Sequence, residues 1–175
     1  MMIIRMNVFL KSWENDMQTF VPYDDIRNIA HVLDDKRLGK QRVETIQIVR
    51  SLLGLTESSG WRNHPAVRMW SGYEPYLVCV YLRGIMDEWT SRGFKNGKCQ
   101  AHYEELYDNM FQKQMLNGYH KPHWLIEKSG VPRSHRLMLC KKKPEHYLPL
   151  FDDVSRSDIE SDDVGYVWPV TLRSE

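Results

Sequence analysis

The sequence predicts an all-α, or nearly all-α, compact single-domain helical bundle. Three observations predict it. A length of 175 residues suits one well-cored domain and is short for two. Apolar residues recur at helical spacing in several segments. Helix-starting Asp, Ser and Pro residues, and helix-stopping Gly residues, punctuate those segments.

Taken in order, residues 1–16 read as an N-terminal extension, strand-like at Val8 to Leu10, with Met17 as an alternative start. After Pro22, Asp24 or Asp25 can cap a short helix running toward Leu33. A second helix begins at Asp34 or Asp35 and runs to about Leu53. Leu38, Ile46, Val49, Leu52 and Leu53 form its apolar positions, and Gly54 stops it. Leu55 to Gly60 is a polar loop. Pro65 suits the first turn of a short helix inside the segment Trp61 to Trp70. The longest apolar helix starts at Glu74-Pro75 and ends near Gly93. Its buried stripe is Leu77, Val80, Tyr81, Ile85, Met86 and Trp89. A more polar helix spans roughly Gln100 to Met115, broken by Asn117-Gly118. Ser134 can cap a helix through about Lys142, and Pro144 opens a short one carrying Tyr147, Leu150 and Phe151. The expected organisation is therefore an extension (1–16), a helical domain (17–151), an acidic loop or linker (152–164) and a C-terminal segment docking on the core (165–175).

The net charge of +1 averages unlike regions. Lys36 to Arg50 and Arg133 to Lys143 are basic, whereas Asp152 to Asp163 is acidic. Without that acidic stretch the chain is basic enough to bind phosphates, although charges that merely solvate exposed faces fit equally well. Cys79, Cys99 and Cys140 are widely spaced with no C-x-x-C pair, which argues against a disulfide framework or zinc ribbon. The start is too short and too polar for a secretory signal, and no run reaches membrane-spanning length. A soluble, cytoplasmic protein with reduced thiols, no membrane association and no obligate protein partner is expected.

Three constellations can carry chemistry. On the second helix Arg37, Lys40, Gln41 and Glu44 fall at i, i+3, i+4 and i+7 and share a face, with Arg42 close by. One acid among phosphate-binding cations is what glycosidic-bond chemistry uses, because the carboxylate stabilises positive charge developing at the sugar. Spacing alone nonetheless favours an ordinary Lys40–Glu44 ion pair on an exposed helix. Gly39 costs helix stability and permits close approach of another backbone. In the second constellation Asn63 and His64 can hydrogen-bond a base edge or phosphate, with Trp61, Trp70 or Tyr73 as a stacking wall. The same residues fit a structural role, His64 capping the helix that begins at Pro65 and Trp70 filling the core. The third, Ser134, His135 and Arg136 at a helix start, is a phosphate seat or a plain cap. His120 and His123, with His135 or His146, match no strong metal pattern, so no metal or cofactor is expected. Walker, G-x-G-x-x-G and G-x-S-x-G motifs do not occur, which argues against P-loop and serine-hydrolase chemistry.

Met-Gln-Thr-Phe-Val-Pro-Tyr23, Leu33 through Glu44, Asn-His-Pro-Ala-Val-Arg-Met-Trp70, Arg-Gly-Phe94, Ser-His-Arg136 and Tyr-Val-Trp-Pro169 together resemble the pyrimidine-dimer DNA glycosylase family, the endonuclease V type of phage repair enzyme, in a divergent bacterial and phage branch. The resemblance implies a compact helical domain, a DNA partner, and excision of a damaged or modified pyrimidine followed by strand cleavage at the abasic site. Glu44 matches the family's catalytic glutamate and His64 a histidine before the long helix. Arg37, Lys40 and Arg42 are candidates for gripping the duplex, and His135 and Arg136 lie where later phosphate contacts arise. The studied members attack the sugar with the amine of a small N-terminal residue freed by removal of the initiator Met. Here Met2 follows Met1 and Gln18 follows Met17, and side chains that bulky block such removal. Lys40, or water activated by Glu44, is the substitute this sequence offers. A non-catalytic nucleic-acid-binding module of the same fold is the alternative.

Overall fold

A computed structural model describes residues 17–56 and 61–169. Regular structure among them is helical, with no strand, in agreement with the expected class. The strand-like segment expected at Val8 to Leu10 lies outside the described residues, as does part of the Leu55 to Gly60 loop. The chain divides into two compact units. Among the described residues, one holds 17–19 and 33–122, the other 20–32 and 123–169.

In the first unit the helix Asp35–Leu52 starts where the sequence placed it. The Asp34 side chain caps it by accepting from the Arg37 backbone N–H, and Gly54, with φ of +71°, follows its end. Leu38, Ile46, Ile48 and Val49 are buried. Gly39 does admit a close neighbour, but the neighbour is a side chain. A methyl group there would sit 3.0 Å from the Trp89 ring.

The long helix is not uniform. Its first turn, Glu74–Tyr76, leads into a π-helical segment, Leu77–Leu82, and then α-helix resumes over Arg83–Ser91. Pro75 occupies the first turn, where its missing N–H has no bond to lose. Of the expected stripe, Leu77, Tyr81, Ile85 and Met86 are buried; Val78 and Leu82 are buried as well, whereas Val80 and Trp89 are only partly so. Two rows at a spacing of four run along the helix, Leu77, Tyr81 and Ile85 in one and Val78, Leu82 and Met86 in the other. The helix Lys98–Gln112 inserts Leu106 and Met110 and leaves most of its length exposed.

In the second unit Ile26–Val32 forms the short helix anticipated after Pro22. The Asp25 carboxylate accepts from the Asn28 N–H. The helix Val131–Lys142 starts earlier than expected. Pro132 fits its first turn, so Gly130, in the left-handed region, precedes the helix and Ser134 lies inside it. The Ser134 hydroxyl donates to the Val131 carbonyl at 2.7 Å and accepts from the Val167 N–H at 3.0 Å. Pro144–Tyr147 and a 3-10 turn, Leu148–Leu150, follow; Tyr147 and Phe151 are buried, but Leu150 is exposed. The acidic stretch contains a short helix, Arg156–Glu160, closed by a Ser155–Asp158 capping box.

His135 is fully buried among the rings of Phe20, Tyr166 and Trp168. Its Nδ1 accepts from the Val21 N–H, which assigns a neutral ring with hydrogen on Nε2. That Nε2 has no partner among the described residues. No described helix is long and apolar enough to cross a membrane.

Two predictions follow from this packing. Gly39→Ala should destabilise by about 1 kcal/mol or more despite the better helix propensity of alanine, because Trp89 must move; urea titration followed by tryptophan fluorescence reads both effects. Burial lowers the His135 pKa from 6.5 to about 3. Between those values the unfolded chain binds a proton that the folded chain refuses. Stability is therefore complete above the unfolded pKa and falls with acidification, with a slope approaching about 1.4 kcal/mol per pH unit from this residue. His135→Gln should remove that component of the slope in denaturant titrations at a series of pH values; an unchanged slope would place the acid sensitivity elsewhere.

Candidate active site

Glu44 lies on the Asp35–Leu52 helix, yet it is only 6% exposed. Its carboxylate is held from two directions. Oε1 pairs with Lys40 Nζ at 3.2 Å, and Oε2 accepts from Gln41 Nε2 at 3.0 Å. The i,i+4 pair anticipated from spacing therefore exists, but around a buried acid instead of a solvated one.

Gln41 is completely buried and ties several elements together. The nitrogen that donates to Glu44 also donates to the Gln18 carbonyl at 2.8 Å, while Gln41 Oε1 accepts from the Tyr81 hydroxyl at 2.7 Å. Tyr81 comes from the π-helical segment. The stretch Met17 to Thr19 is buried as well: Gln18 Oε1 accepts from the Thr19 N–H at 2.9 Å, and Trp70 Nε1 donates to Thr19 Oγ1 at 2.7 Å. Trp70 also packs against Tyr81, with ring centroids 5.6 Å apart. The backbone of residue 18 and the Glu44 carboxylate thus sit within reach of one amide nitrogen. Sequence reasoning treated Tyr81 as an apolar stripe residue and did not single out Gln18 or Thr19. The signal it could have used is that a buried tyrosine hydroxyl requires a partner.

The other expected site residues are placed as follows. Arg37 is bound to its own helix cap, with Nη1 2.6 Å from Asp34 Oδ2. Arg42 turns inward: its guanidinium lies 4.0 Å from the Trp89 ring centre, and Nη1 donates to Asn96 Oδ1 at 3.3 Å. Asn63 is exposed. His64 caps the helix Pro65–Arg68, Nδ1 accepting from the Ala66 N–H, and its ring meets Trp61 edge to face at 5.3 Å. Trp70 fills the core.

Ser134, His135 and Arg136 belong to the other unit and are buried. Arg136 binds Asp153 at 2.8 Å, Glu127 at 3.0 Å and the Pro22 carbonyl at 2.6 Å. Burial opposes its charge, but these two carboxylates overcome that and raise its pKa above the ordinary arginine value. This guanidinium fixes its unit from within. Among the described residues no group of three or more His, Cys, Asp or Glu is arranged to hold a metal ion.

Tyr81→Phe removes an interior hydrogen bond to Gln41 while keeping the ring. It should cost about 1–2 kcal/mol in denaturant unfolding, with Tyr81→Leu costing more because the ring contact with Trp70 is also lost.

Comparison with curated proteins and with solved structures returns no match. A family model does match, over residues 17–101, a span that starts at the Met17 to Thr19 stretch and contains Gln41, Glu44, His64, Trp70 and Tyr81. The motifs at Ser134 to Arg136 and Tyr166 to Pro169 lie beyond it. Across this span the chain matches the pyrimidine dimer DNA glycosylase family, the one its motifs resemble.

Proposed function

We propose that the protein is a DNA glycosylase that removes a damaged or modified pyrimidine, with Glu44 acting at the sugar. The observation that carries the reading is the Glu44 carboxylate itself. It is buried, aimed by the Gln41 amide, accompanied by Lys40, and set beside residue 18 within the span that matches the family. As the bond from sugar to base breaks, positive charge grows on the sugar ring. A fixed carboxylate in a site with little water stabilises that charge without having to reorganise.

DNA is the partner, and the nucleotide must leave the stack for its sugar to meet a buried acid. In base release Lys40, paired with Glu44 and 44% exposed at the side chain, is the candidate for a phosphate contact. The proposal does not assign phosphate contacts to Ser134, His135 and Arg136, whose polar groups are engaged in the interior of their unit. Nor does it assign one to Arg42.

Strand cleavage at the abasic site is the finer part of the reading. It requires a primary amine to form an imine at the sugar carbon, with loss of water. Lys40 Nζ is the amine in contact with Glu44, and the carboxylate is the acceptor for the proton that the amine gives up. Without such an amine, water activated by Glu44 completes a glycosylase reaction that leaves the strand intact.

The test uses duplexes carrying defined pyrimidine lesions and modified bases. Glu44→Gln should lower base release at least about a hundredfold while duplex affinity stays within a few-fold of wild type. Equal base release by the variant, or none by the wild-type protein on any such duplex, would reject the reading in favour of a binding module. Borohydride present during turnover should trap an adduct on Lys40 if the imine forms, and peptide mass identifies the residue.

A further inference from the structure

The exposed strip of the Asp35–Leu52 helix consists of Lys36, Lys40, Val43 and Gln47. At about 100° per residue, Glu44 borders this strip on one side and Gly39 on the other. The Gly39 border is where Trp89 packs. Trp89 is the middle of a stack. The Arg42 guanidinium lies 4.0 Å from its ring centre, and the Phe94 ring lies 4.1 Å from it at an interplanar angle of 20°. Two groups centred so close to one ring must occupy opposite faces, so Phe94 is the outer layer, and it is 39% exposed.

The loop that carries Phe94 is built to hold it still. Arg42 Nη1 donates to the Asn96 side chain, Trp89 Nε1 donates to the Lys95 carbonyl at 3.1 Å, and Asn96 Nδ2 donates to the Met86 carbonyl at 3.3 Å. Gly93 and Gly97 supply the positive φ angles, +87° and +53°, that bracket the loop. Burial lowers the pKa of Arg42, so anchoring this exposed loop takes place against a desolvation cost. Lys95 and Lys98 follow Phe94 in the chain and are exposed, with no ion pair among the described residues; Lys36 on the helix strip is in the same condition. The nearby acids Asp35 and Glu88 are both paired with Arg92, at 2.8 Å and 2.9 Å.

An aromatic ring stacked on Trp89, 39% exposed and followed in the chain by two lysines without an ion pair among the described residues, has the chemistry of a base platform. We propose that Phe94, backed by Trp89 and Arg42, stacks on a base of the same DNA that Glu44 acts on, while Lys36, Lys95 and Lys98 hold its phosphates. This rests on the glycosylase reading for the identity of the DNA, not for the stacking itself. An aromatic wedge beside the target stabilises the kinked, unstacked step that extrusion of a nucleotide creates.

The experiment measures binding to a duplex containing a tetrahydrofuran abasic analogue, with 2-aminopurine as the neighbouring base, across a salt series. Wild-type protein should quench or shift the 2-aminopurine emission. Phe94→Leu should weaken binding roughly tenfold, leave the salt dependence unchanged and lose the emission response. Phe94→Trp should restore both, and this rescue separates stacking from a folding defect, together with matching thermal melts. Lys95→Ala and Lys98→Ala should each lower the salt slope by about one while the emission response persists. Wild-type affinity and emission in a well-folded Phe94→Leu would overturn the platform, as would a deficit that Phe94→Trp fails to restore. The two readings fail separately. Phe94-dependent stacking without base release at any lesion would reject only the glycosylase, whereas base release with an indifferent Phe94 would reject only the platform.

Discussion

Gln41 has no exposure to solvent, so both ends of its carboxamide depend on the protein for hydrogen bonds. Its oxygen takes the Tyr81 hydroxyl; its nitrogen is divided between the Gln18 carbonyl and Glu44. Three stretches far apart in sequence therefore have to be in register before this one side chain is satisfied. An unsatisfied buried amide costs on the order of 1–3 kcal/mol, so the arrangement is selective: a helix rotation or shift that breaks one bond strains the rest. The π segment belongs to the same constraint. It carries Leu77, Val78, Tyr81 and Leu82, all buried, and from it the Tyr81 hydroxyl reaches Gln41.

The Asp35–Leu52 helix is consequently gripped on two sides with different materials. On the Glu44 side the contacts are polar and directional. On the Gly39 side they are aromatic, the indole of Trp89 lying where a larger residue would collide. Arg42 joins the second side to the loop after the long helix, and its cation–π contact with Trp89 gives a partly buried charge some of the stabilisation that water would have provided. What remains free is a narrow strip whose two cations, Lys36 and Lys40, are separated by one helical turn.

Much of this was legible in the residues, and the failures have physical causes. Asp34 as cap, Gly54 as stop, and Pro65 and Pro75 in first turns are local backbone effects, so the sequence carries them directly. The shared face of Lys40, Gln41 and Glu44 was visible too, because helical geometry alone dictates it. Its burial was not. Polar side chains read as surface until their partners are known, and the partners here, Gln18 and Tyr81, are distant in sequence. The π turns have no compositional signature, and of the stripe expected on the long helix Leu77, Tyr81, Ile85 and Met86 are buried while Val80 and Trp89 are only partly so. Ser134 to Arg136 resembled an exposed phosphate seat because a serine ahead of a helical run reads as its cap. Pro132 instead sits within the first turn, and the polar residues that follow face the interior, where Asp153 and Glu127 match the Arg136 charge.

Glu44 is neither a core residue nor a surface one, and that position constrains how it can be used. A carboxylate 6% exposed cannot meet a substrate by collision, while its partner Lys40 is 44% exposed at the side chain. On the glycosylase reading proposed above, a phosphate that drew Lys40 toward itself would release Glu44 Oε1 from that ion pair, while Oε2 would keep its bond to Gln41. Binding and unmasking would then be one event, and the carboxylate would keep its orientation throughout because the bond that aims it is not the bond that is exchanged. An acid held only by a surface lysine would lose its geometry at the moment of binding, and one held only in the interior would never be reached. The division of its two oxygens between Gln41 and Lys40 avoids both outcomes.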